Sequence, residues 1–295
     1  MALFDFDDLN PELSESVARD GTKSTGPGTA RSVLLTLLGE FVWPQQSPVW
    51  NTTLVQVLGT IGIAEKAARQ AIARAASHGW LTSQRQGRHV SWSLTPLLCG
   101  FIADGAERVN SLGRDPGAWD SQWLVLAFSL SDDRRAARQP LYSALRWAGF
   151  GNPSAGLWVS PHADRLGEVR RILQRLELGD VTFSFAGRSV DLGVTDQRMV
   201  QLAWDLGAID SHYADLKARF LSRRPKSDEE TFLADIELVT AWQKVPFLDP
   251  VLPGPLRPPN GQGHRIAAEL AALRAKWRPI ALGYWQRVAE AADPR

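Results

Sequence analysis

The sequence predicts an α+β chain of several domains, on three observations. Hydrophobic spacing switches from helical to alternating near residue 80. Strand and helix patterns alternate between residues 118 and 195, and from residue 196 onward the patterns are helical. A length of 295 residues supports two domains or three small ones. With 44% hydrophobic and 22% charged residues the composition is that of a soluble globular protein. One cysteine, Cys99, excludes an internal disulfide and a multi-cysteine metal cluster. The opening MALFDFDDLNPELSES carries acid where a secretory leader needs base, and no apolar run is long enough to span a membrane. A cytoplasmic location is the expectation, with no membrane partner.

The formal net charge of +1 conceals an uneven distribution. Residues 1–28 sum to −4, residues 29–112 to +3 and the remainder to +2. An acidic tail therefore precedes a locally basic segment, which points to an anionic partner for that segment.

Residues 21–30, GTKSTGPGTA, end the tail as a loop. Val33, Leu34, Leu37, Leu38 and Phe41 then fall at helical spacing, with Thr29 as cap. Pro44 and Pro48 break that helix. Thr52 or Thr53 is placed to cap a second one through Leu54, Val55 and Leu58, both threonines being candidate DNA contacts, and Gly59 and Gly62 mark a tight turn. A third helix is predicted from about residue 64 to residue 77, ended by Gly79. At about 100° per residue, Ala64, Ala67, Ala68, Ala71, Ile72 and Ala75 share one face. Lys66, Arg69, Gln70, Ala73 and Ser77 share the opposite one. The first face packs closely because it is mostly alanine. The second presents side chains that reach phosphates and base edges in a major groove. Arg74 points toward the edge of the packed face, as a contact or as an internal ion-pair partner.

Residues 80–85 and 89–94 alternate like short strands around Gln86-Gly87-Arg88, a hairpin with glycine at its turn. Thr95-Pro96 starts a further helix. Three helices, a hairpin and an added helix make a winged helix-turn-helix over residues 29–112. Arg85, Arg88 and His89 sit in the wing, suited to the phosphate backbone.

After a linker at 113–117, residues 122–130 (QWLVLAFSL) read as a buried strand. A helix follows over 134–148 although Pro140 lies inside it. Then come a glycine-rich turn at 149–156, a strand at 157–160, a helix at 164–176 and a strand at 182–186. This alternation predicts a ferredoxin-like domain over 118–195. Residues 196–295 are predicted mostly helical, with helices over 200–206, 213–221, 228–244 and 264–291. Ser227 and Glu230 form a capping pair, a proline-rich loop occupies 246–263, and Pro279 kinks the last helix.

ARSVLLTLLGEF, GIAEKAARQAIARAASHGWL running into GRHVSWSLT, AWDSQWLVLAFSL, LYSALRWAGFGNPSAGLWVSP and FLDPVLPGPL stand in an order and spacing that resembles the PaaX family of bacterial transcriptional regulators. The resemblance covers about residues 29–290. It implies a dimer that binds a double-stranded DNA operator and releases it when an acyl-CoA thioester binds, with the central domain as scaffold and dimer surface. The chain departs from the family at Asn260-Gly261-Gln262-Gly263-His264, which replaces a Trp-Pro-Gly element, and in its acidic tail.

The remaining chemistry is sparse. The central domain also resembles small ferredoxin-like nucleases of CRISPR arrays, in which Asp132 and Asp133 would hold Mg²⁺; as bare sequence they start a helix, where carboxylates favour the dipole. The five histidines show no metal spacing, no Gly-x-Ser-x-Gly is present, and no cofactor motif stands out. The sequence therefore predicts a regulator and no enzyme, with a metal-dependent nuclease or a non-DNA-binding adaptor as the other readings. A pocket for an aryl effector would draw on Trp123, Trp147 and Trp158, with Arg138, Arg146 and His264 as cations for phosphate or thioester oxygens.

Overall fold

The computed structural model describes residues 29–114 and 117–293, so the acidic tail lies outside the described residues. Contacts divide these residues into two compact units. One joins residues 29–110 to Lys217–Gln243 and residues 269–293; the other joins Ser111–Leu216 to Lys244–Ala268.

In the first unit, α1 (Ala30–Leu37) begins where Thr29 accepts the Ser32 N–H at 3.4 Å, the predicted cap. It widens into a π-helical turn over Leu38–Val42, and Pro44 then ends it. Val33, Leu34, Leu37, Leu38 and Phe41 are all buried. Two residues of strand follow, β1 (Val49–Trp50), which alternation is too short to reveal. The next helix, α2 (Asn51–Thr60), starts two or three residues earlier than either predicted cap would set it, with Trp50 at its cap position and no side chain capping it. Neither Thr52 nor Thr53 is the cap; both fall inside the first turn.

A turn with Gly62 at φ 93° leads to α3 (Glu65–Ser77). Ala68, Ala71, Ile72 and Ala75 are buried as the periodicity requires, whereas Ala64 is exposed because it stands at the cap, outside the helix. The hairpin is β2 (Leu81–Gln86) and β3 (His89–Leu94), and β1 completes an antiparallel sheet in the order β1-β3-β2. Its loop is the pair Gly87-Arg88, with Gly87 at φ 59°, a value glycine adopts without strain. Helix α4 (Pro96–Ser111) follows, Thr95 accepting the Leu98 N–H.

In the second unit, β4 (Trp123–Phe128), α5 (Arg138–Trp147), β5 (Gly151–Ser154), β6 (Leu157–Ser160), α6 (Leu166–Arg175) and β7 (Thr182–Gly187) form an antiparallel sheet in the order β5-β6-β4-β7. This is the ferredoxin-like arrangement, with four strands where three were predicted. The extra one, β5, lies in the glycine-rich stretch read as a turn; its glycine and proline hide the strand. The predicted 134–148 helix is instead a 3-10 turn over Asp132–Ala137 followed by α5. Pro140 therefore falls in the first turn of α5, where a missing N–H costs no helical bond.

The sheet has two covered faces. Leu124, Leu126 and Phe128 pack with α5 and α6. Trp123, Val125 and Val159 pack with Val200 and Trp204, from α7 (Asp196–Ala203) and the residue after it, and with Leu252 and Leu256. Gly151 permits this: a Cβ there would lie 2.6 Å from the Trp204 ring. Helix α8 (Leu206–Phe220) belongs to this unit as far as Leu216.

The other helices are α9 (Asp228–Trp242) and α10 (Gly263–Ala291), the latter with Pro279 inside it. Ser227 caps α9 by accepting the Glu230 N–H, while Glu230 accepts the Lys226 N–H. In the first unit α9 and the later part of α10 pack on α1: Phe41 stacks on Trp285 at 5.0 Å and Thr36 bonds Thr240 and Gln243. Glu40 meets Arg274 at 2.6 Å and Arg278 at 3.5 Å.

Candidate functional site

Helix α3 presents the predicted stripe. Lys66, Arg69, Gln70, Ala73 and Ser77 are exposed, on the side opposite the buried alanines. Arg69 does not project freely: its Nε and Nη2 both donate to Glu65, at 2.8 and 2.7 Å, one turn back on the helix. Such an exposed pair is weak and orients the guanidinium without sequestering it. Ser77 is partly occupied, donating to the Arg74 carbonyl at 2.9 Å. Arg74 is exposed rather than set against the packed face, and makes no ion pair among the described residues.

The hairpin carries the second basic group. Arg85 is exposed, its Nε donating to the Gly87 carbonyl at 3.3 Å, and Arg88 donates to the His89 ring at 3.2 Å. Trp92 donates to Asn51 at 3.1 Å, tying β3 to the start of α2, an anchor that the sequence pattern does not reveal. The two threonines do not join this surface equally. Thr53 is fully buried and has no access to a ligand. Thr52 is exposed but donates to the Ala292 carbonyl at 3.2 Å. Thr53 is thus packed in the interior because it faces inward from the first turn of α2, not outward from a cap.

The second unit contains a cleft of about 750 Å³. Arg138, Arg146 and Trp158 line it, three of the six residues predicted for an effector pocket. Arg135, Tyr142, Phe150, Trp204 and Phe247 also line it. Arg135 and Tyr142 had a signal in the sequence, one helical turn before and one after Arg138; Phe150, Trp204 and Phe247, from other segments, had none. The Tyr142 and Trp158 rings lie 4.9 Å apart, and the Arg146 guanidinium sits 6.0 Å from the Trp158 ring. Partial burial lowers the Arg146 pKa from its ordinary value, the mark of a cation short of solvent.

The other three residues lie elsewhere. Trp123 is buried on the opposite face of the sheet, donating to Asp196 at 2.8 Å. Trp147 packs on Phe247 at 4.8 Å and does not line the cleft. His264 lines a separate space of about 70 Å³ with Asp210 and Arg257.

Residues 248–252 form a wall of both spaces, Pro250 lining each. Val251 sits at φ 58°, strained for a β-branched residue, and its N–H is held by Asp249 at 2.7 Å. Tyr213 donates to the same carboxylate at 2.6 Å, and burial raises its hydroxyl well above the ordinary range. His162 bonds the Pro250 carbonyl at 2.8 Å. Burial, then nearby Arg165, pushes its pKa down to about 4, so the ring is neutral and Nε2 carries the proton it donates.

Asp132 and Asp133 stand in the first turn of the 3-10 segment before α5, where Ser131 bonds Asp133 and lowers its pKa. Among the described residues no three His, Cys, Asp or Glu side chains gather as a metal site.

Three family models match the chain in sequence order: PaaX-like protein over residues 29–97, PaaX protein central Cas2-like domain over 116–200, and PaaX-like protein C-terminal domain over 204–287. The transcriptional repressor PaaX of Escherichia coli (strain K12) is 24% identical over 277 residues, spanning 90% of this chain and 82% of the relative. The relative's description is of a transcriptional regulator, not an enzyme. The uncharacterized protein Rv0674 from Mycobacterium tuberculosis has a similar fold, with a TM-score of 0.58 at 21% identity over 90% of this chain and 98% of that one. The models together account for most of the chain, and the chain belongs to the PaaX family.

Proposed function

We propose that this protein is a transcriptional regulator of the repressor type, which binds a palindromic double-stranded DNA operator as a homodimer. The observation that carries the reading is the pairing of an exposed Lys66, Arg69 and Gln70 stripe on α3 with Arg85 and Arg88 on the hairpin, within one unit. In this reading residues 29–112 are a winged helix-turn-helix. Helix α3 enters the major groove, where Arg69 and Gln70 meet base edges and Lys66 and Ser77 meet phosphates. Arg74, Arg85, Arg88 and His89 hold the backbone on either side. Thr52, exposed at the start of α2, adds a phosphate contact once it leaves Ala292. Residues 118–195 serve as a ferredoxin-like scaffold, and 196–295 as a helical region for sensing and dimerisation. Among the described residues no helix is long and apolar enough to cross a membrane, and we place the protein in the cytoplasm. The repressor name of the E. coli relative supports this reading; no observation favours the nuclease or the adaptor.

The effector in this reading is an aryl- or acyl-CoA thioester. The α5 cleft suits that chemistry: Tyr142 and Trp158 accept a flat or apolar group, and Arg135, Arg138 and Arg146 accept phosphates and the thioester oxygen. The test is a mobility-shift titration on DNA flanking the protein's own gene, with thioesters and their free acids added. A salt-dependent shift reversed by one thioester and not by its acid supports the reading. A protein that shifts no such DNA at low salt overturns it.

A further inference from the structure

The charge outside the first region is as unevenly placed as the charge within it. Residues 132–175 hold eight arginines, no lysine and four carboxylates, a sum of +4 in 44 residues against +3 for the whole of 29–112. The fold gathers this charge on one layer. Helices α5 and α6 are neighbours on the Leu124, Leu126 and Phe128 face of the sheet, with Leu141, Ala144 and Leu145 facing inward from one and Val169 and Ile172 from the other. Their outward sides therefore form one surface. Two of the arginines are occupied within the domain: Arg134 holds Asp180 at 2.6 and 2.8 Å, and Arg165 donates to the Ala148 carbonyl at 2.7 Å. Arg135, Arg138, Arg146, Arg170 and Arg171 are exposed, and none pairs with a carboxylate among the described residues. On α6 the inward Val169 and Ile172 leave Arg170, Arg171 and Gln174 on the outward side. Like charges gathered in this way repel one another, and an anionic partner relieves that repulsion.

We propose that the outward face of α5 and α6 is a second DNA surface, on which Arg170 and Arg171, with Arg135 and Arg138, hold phosphates of the duplex beyond the operator. This rests on the DNA-binding reading above and extends it from the operator to the flanking backbone. Three features favour a nucleic-acid backbone over a protein. The cations are all arginine, whose planar fork meets a phosphate with two parallel N–H donors. The layer lacks the apolar centre that a protein interface needs: of the exposed large hydrophobics only Leu166 stands on it. A weak second site for the same polyanion also gains avidity from the first, so a few phosphate contacts suffice. Such contacts add affinity and carry no sequence preference. Arg135 and Arg138 also line the α5 cleft, whereas Arg170 and Arg171 do not, so the α6 pair reports on this surface alone.

The test compares two duplexes taken from DNA upstream of the protein's own gene, one holding the palindrome alone and one extended by about two helical turns at each end. The full-length protein is titrated with each across a salt series, beside R170A/R171A and R170K/R171K. The parent binds the extended duplex more tightly and with the steeper salt slope. Each lost phosphate contact takes about 0.9 from that slope. R170A/R171A should therefore lose about 2 in slope on the extended duplex, and about 60-fold in affinity at about 0.1 M salt, while matching the parent on the short one. R170K/R171K should keep most of both, because an ammonium still meets a phosphate. Circular dichroism and melting unchanged from the parent separate these losses from misfolding. Equal binding of both duplexes by the parent, or an R170A/R171A protein that matches it on the extended duplex, overturns the surface and leaves the operator reading standing. So does a folded lysine pair that loses as much as the alanine pair. A parent that shifts neither duplex at low salt overturns both.

Discussion

Arg69 and Arg88 carry equal charge in unequal settings, and their replacement separates two kinds of contact. Arg69 is oriented by Glu65 on the outward face of α3, the face that the proposed reading sets against base edges. Arg69→Ala should lose about 1–3 kcal/mol on the operator and little on unrelated DNA. Arg88 sits at the tip of the hairpin, and Arg88→Ala should weaken all DNA alike and reduce the salt slope by about 1. Binding isotherms across a salt series distinguish them. Two buried groups make a second residue-scale prediction. Asp235 is fully buried with no hydrogen-bond partner among the described residues, and burial, with Glu40 adding to it, pushes its pKa up to about 6 despite Arg274 and Arg278. The unfolded carboxyl ionises near 4, so the native state is penalised increasingly as pH rises from about 4 to about 6, and fully above that. Asp235→Asn should therefore raise the melting temperature at neutral pH, by on the order of 2 kcal/mol in stability, and make no difference near pH 4. His162 works in the other direction. Its native pKa is depressed to about 4, so its contribution is present above about 6.5 and is lost as pH falls toward 4. His162→Gln should flatten that acid limb while Asp235→Asn steepens it, as melting curves from pH 4 to 8 would show. Neither burial is legible in the sequence: one aspartate on a helix and one histidine before a helix look like surface residues until distant segments close over them.

At the scale of elements, legibility followed length and periodicity. Helix α3 and its hairpin announce themselves by a change of period, and Thr29 and Ser227 by their caps. Strands β1 and β5 are two and four residues long, beside proline or glycine, and no local pattern distinguishes them from turns. They exist because a neighbour, β3 or β6, offers an edge. The cleft was half legible for the same reason. Arg138 and Arg146 share one helix, whereas Trp158, Trp204 and Phe247 reach it from three separate segments. The alanine face of α3 supports its own prediction. Ala68 is fully buried on the inward face of α3, the helix that packs on α1 and α2. Ala68→Leu should cost about 1–3 kcal/mol through overpacking. It should also tilt the recognition stripe, so that operator affinity falls more than the thermal midpoint alone explains. An Ala73→Leu control, on the exposed side, should leave stability nearly unchanged.

For the whole molecule, the electrostatic question the proposed function raises is how a chain of net charge +1 would hold a polyanion. The answer is placement: five of the seven basic residues of 29–112 stand on α3 and the hairpin, while residues 1–28 carry a net charge of −4. A segment of charge −4 on the same chain would compete at high effective concentration for the cations that DNA must reach. Its effect depends on screening. The Debye length is about 30 Å at 0.01 M salt and about 10 Å at 0.1 M, so the tail acts at a distance only in dilute buffer. Removing residues 1–28 should therefore raise affinity for any DNA by a few-fold at low salt, and change little at physiological salt. Because phosphate contacts release counterions, deletion should also steepen the salt dependence, as cations the tail had neutralised now meet phosphates. Operator preference over unrelated DNA should stay constant, since the tail competes for charge and not for base edges. Equal affinities and equal slopes for the full and shortened chains would show that the tail's charge plays no part in binding.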